Sequence, residues 1–196
     1  MSGLLAELTV FREGFTVKGK VEIERSGVIL AKNGSGKTTF LKGIAGLLKA
    51  EGKVTLNGVD VTPVSPEKRG ITYVPNDLRI PTTLERIAKL AKSDLSYLKD
   101  LGYELSYSRR LNSLSLGQRQ VVLTLAAVTS AHSKAVLLDE SVSNVSERDK
   151  VIKRVLEIAN ELNKPLVYAT NIRSDVTHFE KVFTIYDGKV VEANHF

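Results

Sequence analysis

Apolar and polar positions alternate over 8–11 and 15–23, with Gly14 between them. This predicts two half-buried strands joined by a tight turn. The continuous apolar run 27–31 reads as a strand buried on both faces. After a glycine-rich turn, the spacing over 38–48 predicts a helix. Residues 54–56, followed by Asn57-Gly58 and Val59, predict a strand entering a tight turn. Another strand is expected at 71–74, before Pro75. Leu84, Ile87, Ala88, Ala91, Leu95 and Leu98 recur at helical spacing across 83–101, and 116–131 predicts a second helix. A buried strand follows at 135–138 and ends in Asp139-Glu140. Ser146 reads as an N-cap, with Glu147 in the first turn and Val151, Ile152, Val155, Leu156 and Ala159 on the apolar face. The last strands are expected at 166–170 and 182–186, with a turn at Asp187-Gly188. Strands alternating with helices predict an α/β fold with a largely parallel sheet.

Composition narrows the chemistry. The 196 residues suffice for one domain with a substantial core. The absence of cysteine excludes disulfides, thiolate metal sites and thiol nucleophiles. His132, His178 and His195 lack metal-ligand spacing. The N-terminus has no basic segment ahead of its apolar residues, so no signal peptide is expected. The longest apolar stretch, near 121–128, is too short to span a bilayer. A cytoplasmic location is therefore expected. Net charge is +6 with no long run of like charges, which reads as a solvated basic surface, and no direct nucleic-acid partner is expected.

Two segments carry chemistry. Ala31-Lys32-Asn33-Gly34-Ser35-Gly36-Lys37-Thr38 is nearly the phosphate-binding P-loop, with Ala31 replacing its first glycine. Gly34 and Gly36 let backbone N–H groups turn inward, and the helix start directs its positive end at the same place. Lys37 would reach the β- and γ-phosphates, and Thr38 would ligate Mg²⁺. In 136–140, a strand ending in an acidic pair, Asp139 would hold Mg²⁺ and Glu140 would polarise an attacking water.

Leu114-Ser115-Leu116-Gly117-Gln118, continued by Arg119-Gln120, resembles the LSGGQ signature of ATP-binding cassette (ABC) ATPases. The resemblance extends through Leu56-Asn57-Gly58-Val59-Asp60, then Arg69-Gly70-Ile71-Thr72-Tyr73-Val74-Pro75, and covers essentially the whole chain. It implies a P-loop NTPase (RecA-like) core with an N-terminal antiparallel β subdomain and a short α-helical signature subdomain. A single nucleotide-binding domain over 1–196 is expected, with a core lobe at about 1–76 and 134–196 and a helical subdomain at about 77–133.

The resemblance implies a set of site residues. ATP would be held by Asn33, Gly34, Ser35, Gly36, Lys37, Thr38 and Thr39, with Phe15 or Phe11 stacking on adenine. Ser115, Gly117 and Gln118 would reach ATP bound to a partner. Thr38, Asp139 and Asn76, the last at the Q-loop glutamine position, would serve Mg²⁺. Glu140, Lys37 and Asn171 would be catalytic, with Asn171 standing where the family has its switch histidine. Ala31, Asn76, Leu116, Ser146 and Asn171 depart from the family pattern. Asparagine donates hydrogen bonds but cannot shuttle a proton as histidine does.

The function implied is the ATP-binding and ATP-hydrolysing subunit of an ABC transporter, peripheral on the inner face of the cell membrane through a permease. The expected partners are a second ABC domain, identical or different, and that transmembrane permease. The alternatives are a slowly or non-hydrolysing ABC clamp and a soluble ABC ATPase such as an iron–sulfur assembly factor. Segment 79–110 carries seven basic residues against four acidic ones. This reads either as a basic cradle for the permease or as a solvated helical face. No C-terminal sensor domain is expected after the last strand.

Overall fold

The computed structural model describes residues 3–194. His195, weighed above as a ligand, and the first two residues of the N-terminal stretch lie outside the described residues. The strands are β1 (Leu4–Arg12), β2 (Phe15–Ile23), β3 (Ser26–Leu30), β4 (Ala50–Leu56), β5 (Val59–Asp60), β6 (Ile71–Val74), β7 (Ala135–Asp139), β8 (Leu166–Thr170), β9 (Lys181–Tyr186) and β10 (Lys189–Glu192). They form one ten-stranded sheet in the order β5-β4-β1-β2-β10-β9-β3-β8-β7-β6. The β9-β3-β8-β7-β6 half is parallel, and the β5-β4-β1-β2 half is antiparallel. The halves meet where β10 pairs in parallel with β2 and antiparallel with β9.

The apolar runs in β3, β7 and β8 are explained by burial on both faces. Ile29, Leu137, Val167 and Ala169 point into a core shared with helix α1 (Lys37–Ile44) and the antiparallel strands. Val28, Val136, Leu138, Leu166 and Tyr168 point the other way. That second core also holds the apolar faces of α2 (Leu84–Ala91), α3 (Leu116–Thr129) and α4 (Arg148–Glu161). Segment 77–133 therefore shares its core with the strands beneath it. Adjacent residues of one strand serve opposite layers because side chains alternate across a sheet.

Four local expectations are corrected. The helix expected over 38–48 ends at Ile44, because Gly46 adopts a left-handed conformation with φ +77°. Gly46 N–H then bonds Gly43 O at 3.1 Å and Leu47 N–H bonds Lys42 O at 2.8 Å, which closes the helix end. The single helix expected over 83–101 is two pieces: α2 stops at left-handed Lys92, and Leu95–Leu101 forms a 3₁₀ segment. Asp94 accepts a bond from Ser96 N–H and starts that segment. Its Leu95, Leu98 and Leu101 recur every three residues and are all buried, so the apolar spacing continues across the break. Helix α4 starts at Arg148 rather than after Ser146, with Glu147 at the cap position and no side-chain cap. Its first backbone bond runs from Val151 N–H to Glu147 O. Strand β4 begins at Ala50, well before Val54, because its charged outer positions pair along β1.

Candidate functional site

The phosphate loop lies between β3 and α1, at the carboxyl ends of the parallel strands. Gly34 and Gly36 both have positive φ, at +76° and +108°. Gly36 is also pressed by its neighbours: an added Cβ would lie 2.4 Å from Val17 Cγ2 and 2.8 Å from the Phe15 ring. Only glycine fits there. Ala31 is absent from the positive-φ residues, so its methyl group carries no backbone strain. Ser35 closes the loop internally, donating from both N–H and Oγ to Lys32 O.

Lys37 is 5% exposed. Its Nζ donates to Ala31 O at 2.7 Å and Lys32 O at 3.0 Å, and lies 3.5 Å from Glu140 Oε1. The ammonium is thus held at the loop's mouth by two carbonyls and one carboxylate. Beside it, Thr38 Oγ1 donates to Asp139 Oδ2 at 2.6 Å. Tyr73 donates its hydroxyl to the same oxygen at 2.8 Å. Burial, and then the negative charge of Asp139, hold the Tyr73 phenol well above its usual range, so it stays a donor. Among the described residues no three His, Cys, Asp or Glu side chains cluster as a metal cage. The Thr38 hydroxyl beside the Asp139 carboxylate nevertheless suits a small hard cation that takes its remaining ligands from phosphate and water.

Glu140 has φ +50°, an uncommon conformation for a side-chain-bearing residue. Its N–H donates to Ala169 O at 2.9 Å, and its carbonyl accepts from Ser143 N–H at 3.1 Å. Asn76 Nδ2 lies 3.4 Å from Glu140 Oε2. At the end of β8, Asn171 Nδ2 donates to Asn33 Oδ1 at 3.1 Å and ties that loop to the P-loop. The loop is anchored from below. Fully buried Asp175 accepts from Thr170 Oγ1 at 2.9 Å and from Arg148 Nε at 2.8 Å.

One cleft of about 680 Å³ is lined by Arg12, Glu13, Phe15, Asn33, Gly34, Gly36, Lys37, Thr38, Thr39, Asn76, Asp139 and Glu140; Ser35 and Asn171 are not among its lining residues. Phe15 lies in its wall; Phe11 is 37% exposed and is not among the lining residues. Ser115, Gly117 and Gln118 lie outside the lining, at the start of α3. There Ser115 Oγ accepts from Gln118 N–H, and Gln118 Oε1 accepts from Ser115 N–H, a reciprocal cap. Sequence reasoning missed Tyr73, Asp175 and Gln120 as site neighbours, and Arg12 and Glu13 as wall residues. For Gln120 a signal existed, since it continues the signature segment. The others stand near the site only through sheet and loop packing.

A phosphate loop, a threonine–aspartate pair and a poised glutamate on a parallel sheet define a nucleotide-binding P-loop ATPase domain. The family model described as ABC transporter matches residues 16–143. The chain belongs to this family, as one of its ATP-binding domains. It is similar to the molybdate/tungstate import ATP-binding protein WtpC of Archaeoglobus fulgidus, 30% identical over 84% of this chain and 75% of that protein. The WtpC of Methanocaldococcus jannaschii is 33% identical over 87% of this chain and 62% of that protein. Matches to two other archaeal WtpC proteins span 42% and 55% of their lengths. Among solved structures, an ATP-binding subunit of an ABC transporter superposes with a TM-score of 0.80 at 19% identity, over 98% of this chain and 90% of that one. At that identity the likeness speaks for the fold alone.

Proposed function

We propose that the chain binds Mg-ATP in the cleft, hydrolyses it with Glu140 as general base, and does so as one half of a pair of ABC domains that drives a membrane permease. The observation that carries this reading is the convergence of Lys37, Thr38, Asp139 and Glu140 on one cleft. Lys37 would exchange its loop carbonyls for phosphate oxygens. Thr38 and Asp139 would hold Mg²⁺, which supplies charge neutralisation on the phosphates. Glu140 would accept the proton of an attacking water, and Phe15 would stack on the base. Ser115 and Gly117, away from this cleft, would complete the site of a second ABC domain. Asn171, already bonded to Asn33, would orient groups at the phosphate end without carrying a proton. Residues 77–133 would move as the helical lobe against the rest.

No helix among the described residues is long and apolar enough to cross a membrane, so membrane work would proceed through a permease. The archaeal relatives are named for import of molybdate or tungstate. We carry over to this chain only the role of driving a transporter, since the membrane partner selects the cargo.

The test is ATP turnover against protein concentration, with Glu140→Gln beside the wild type. Specific activity should rise with concentration, and Glu140→Gln should lower turnover about 100-fold or more while still binding nucleotide. Binding without turnover in the wild type would instead identify an ATP-gated clamp.

A further inference from the structure

Gln120 lies one turn beyond the reciprocal cap of α3 and is 2% exposed. A primary amide owns two N–H donors and an oxygen with two lone pairs. Gln120 Oε1 accepts from Asn144 N–H at 2.9 Å. Its Nε2 faces four acceptors: Asn76 O at 3.0 Å, Asn76 Oδ1 at 3.2 Å, Glu140 O at 3.3 Å and Ser143 Oγ at 3.3 Å. Two N–H groups cannot serve four acceptors at once. The amide can therefore shift its bonds between Asn76 and the 140–143 turn without leaving its place.

Both directions lead to Glu140. The bond to Asn76 Oδ1 fixes which end of that carboxamide is the acceptor and leaves Asn76 Nδ2 aimed at Glu140 Oε2, 3.4 Å away. The bond to Glu140 O supports a peptide whose residue sits at φ +50°, a conformation that persists only when its surroundings over-determine it. The start of α3 is also packed on the same turn by contact. A Cβ added to Gly117 would lie 2.6 Å from Asn144 O. One buried amide thus joins the signature helix to the post-β6 loop, to the catalytic strand end and to the turn after it.

We propose that Gln120 is a positioning residue for hydrolysis: it fixes the Glu140 carboxylate and the Asn76 carboxamide relative to the start of α3. This rests on the reading of Glu140 as the base. A tilt of α3 then changes how the carboxylate is held, with no direct contact between the signature serine and the cleft of its own chain.

The experiment is steady-state ATP hydrolysis and equilibrium Mg-ATP binding by the intact protein for Gln120→Leu, Asn76→Ala and the double variant, each with its melting temperature. Gln120→Leu should lower kcat about tenfold or more, as misplacement of a reacting group does. KM and the Mg-ATP Kd should stay within about twofold. The double variant should lose less than the product of the two single losses, since both act through one chain of bonds. Unchanged kcat, an equal loss of kcat and binding, or multiplying losses overturns the proposal. If Gln120→Leu melts more than about 10 °C below the wild type, Gln120→Glu decides by the same readouts. It keeps the acceptor for Asn144 N–H and loses both donors. Should Glu140→Gln retain wild-type turnover, the base assignment itself falls. If only the positioning role is wrong, Glu140→Gln stays inactive while Gln120→Leu turns over normally.

Discussion

At the scale of single residues, the site is built from a few side chains whose bonds are already committed. Asp139 Oδ2 receives two hydroxyls, from Thr38 and Tyr73. The first was legible in the sequence, because Thr38 follows the phosphate-loop lysine directly. Tyr73 was not, because it reaches Asp139 only through the parallel pairing of β6 with β7. Tyr73→Phe removes one of the two donors and leaves the ring in place. The Mg²⁺ concentration for half-maximal turnover should rise about threefold or more, since groups that orient a metal's ligands tune its affinity. A magnesium titration of ATPase activity reads this directly. The raised Tyr73 phenol adds no titrating group below the alkaline range, so the variant should keep the shape of the pH profile up to about pH 9.

At the scale of elements, runs bounded by turns were readable from pattern alone, and β3, β6, β7 and β8 lie where apolar runs predict them. The helical segment was harder. A 3₁₀ turn repeats every three residues and an α-helix about every 3.6. Over Leu95, Leu98 and Leu101 the two cannot be told apart by spacing. The joint between α3 and the loop after β6 is likewise invisible in one dimension. Arg119, 5% exposed, donates Nε and Nη2 to the two carboxylate oxygens of Asp77 at 3.0 and 3.2 Å. The Arg119 hydrogen bond holds the Asp77 carboxyl below its usual range, against a smaller opposing effect of burial. A lowered carboxyl stabilises the fold above its unfolded value of about 3.9, and that contribution fades as pH falls through the lowered value. Asp77→Asn should therefore be less stable than wild type at pH 7, with the gap narrowing in acid as pH falls through the lowered value. Urea unfolding at pH 7 and along an acid series measures it; a gap that persists throughout the acid series would show that the ion pair is not its source.

At the scale of the whole molecule, one continuous sheet separates two apolar layers. The antiparallel strands and α1 cover one face of the parallel half, and the remaining helices cover the other. The phosphate loop and the acidic pair emerge at the same edge because β3, β8 and β7 are neighbours and parallel. The proposed signature residues sit on the far helical layer and are joined to that edge through Gln120 and its partners, the Arg119–Asp77 pair and the packing of Gly117 on Asn144 O. On the proposed reading, Ser115 would serve the cleft of a second ABC domain rather than its own.

The alternation within β3, β7 and β8 has a consequence for how this chain comes apart. Each of these strands contributes consecutive residues to opposite layers, so none of the three can open without disturbing both. Such strands belong to the most cooperative unit of a fold, whose amides exchange with solvent only when the entire chain opens. Native-state hydrogen exchange should find Ile29, Leu137 and Val167 released together at the global unfolding free energy, with α2 and the 95–101 turn released earlier. The backbone beneath the phosphate loop is thereby insulated from fraying of α2 and the 95–101 turn.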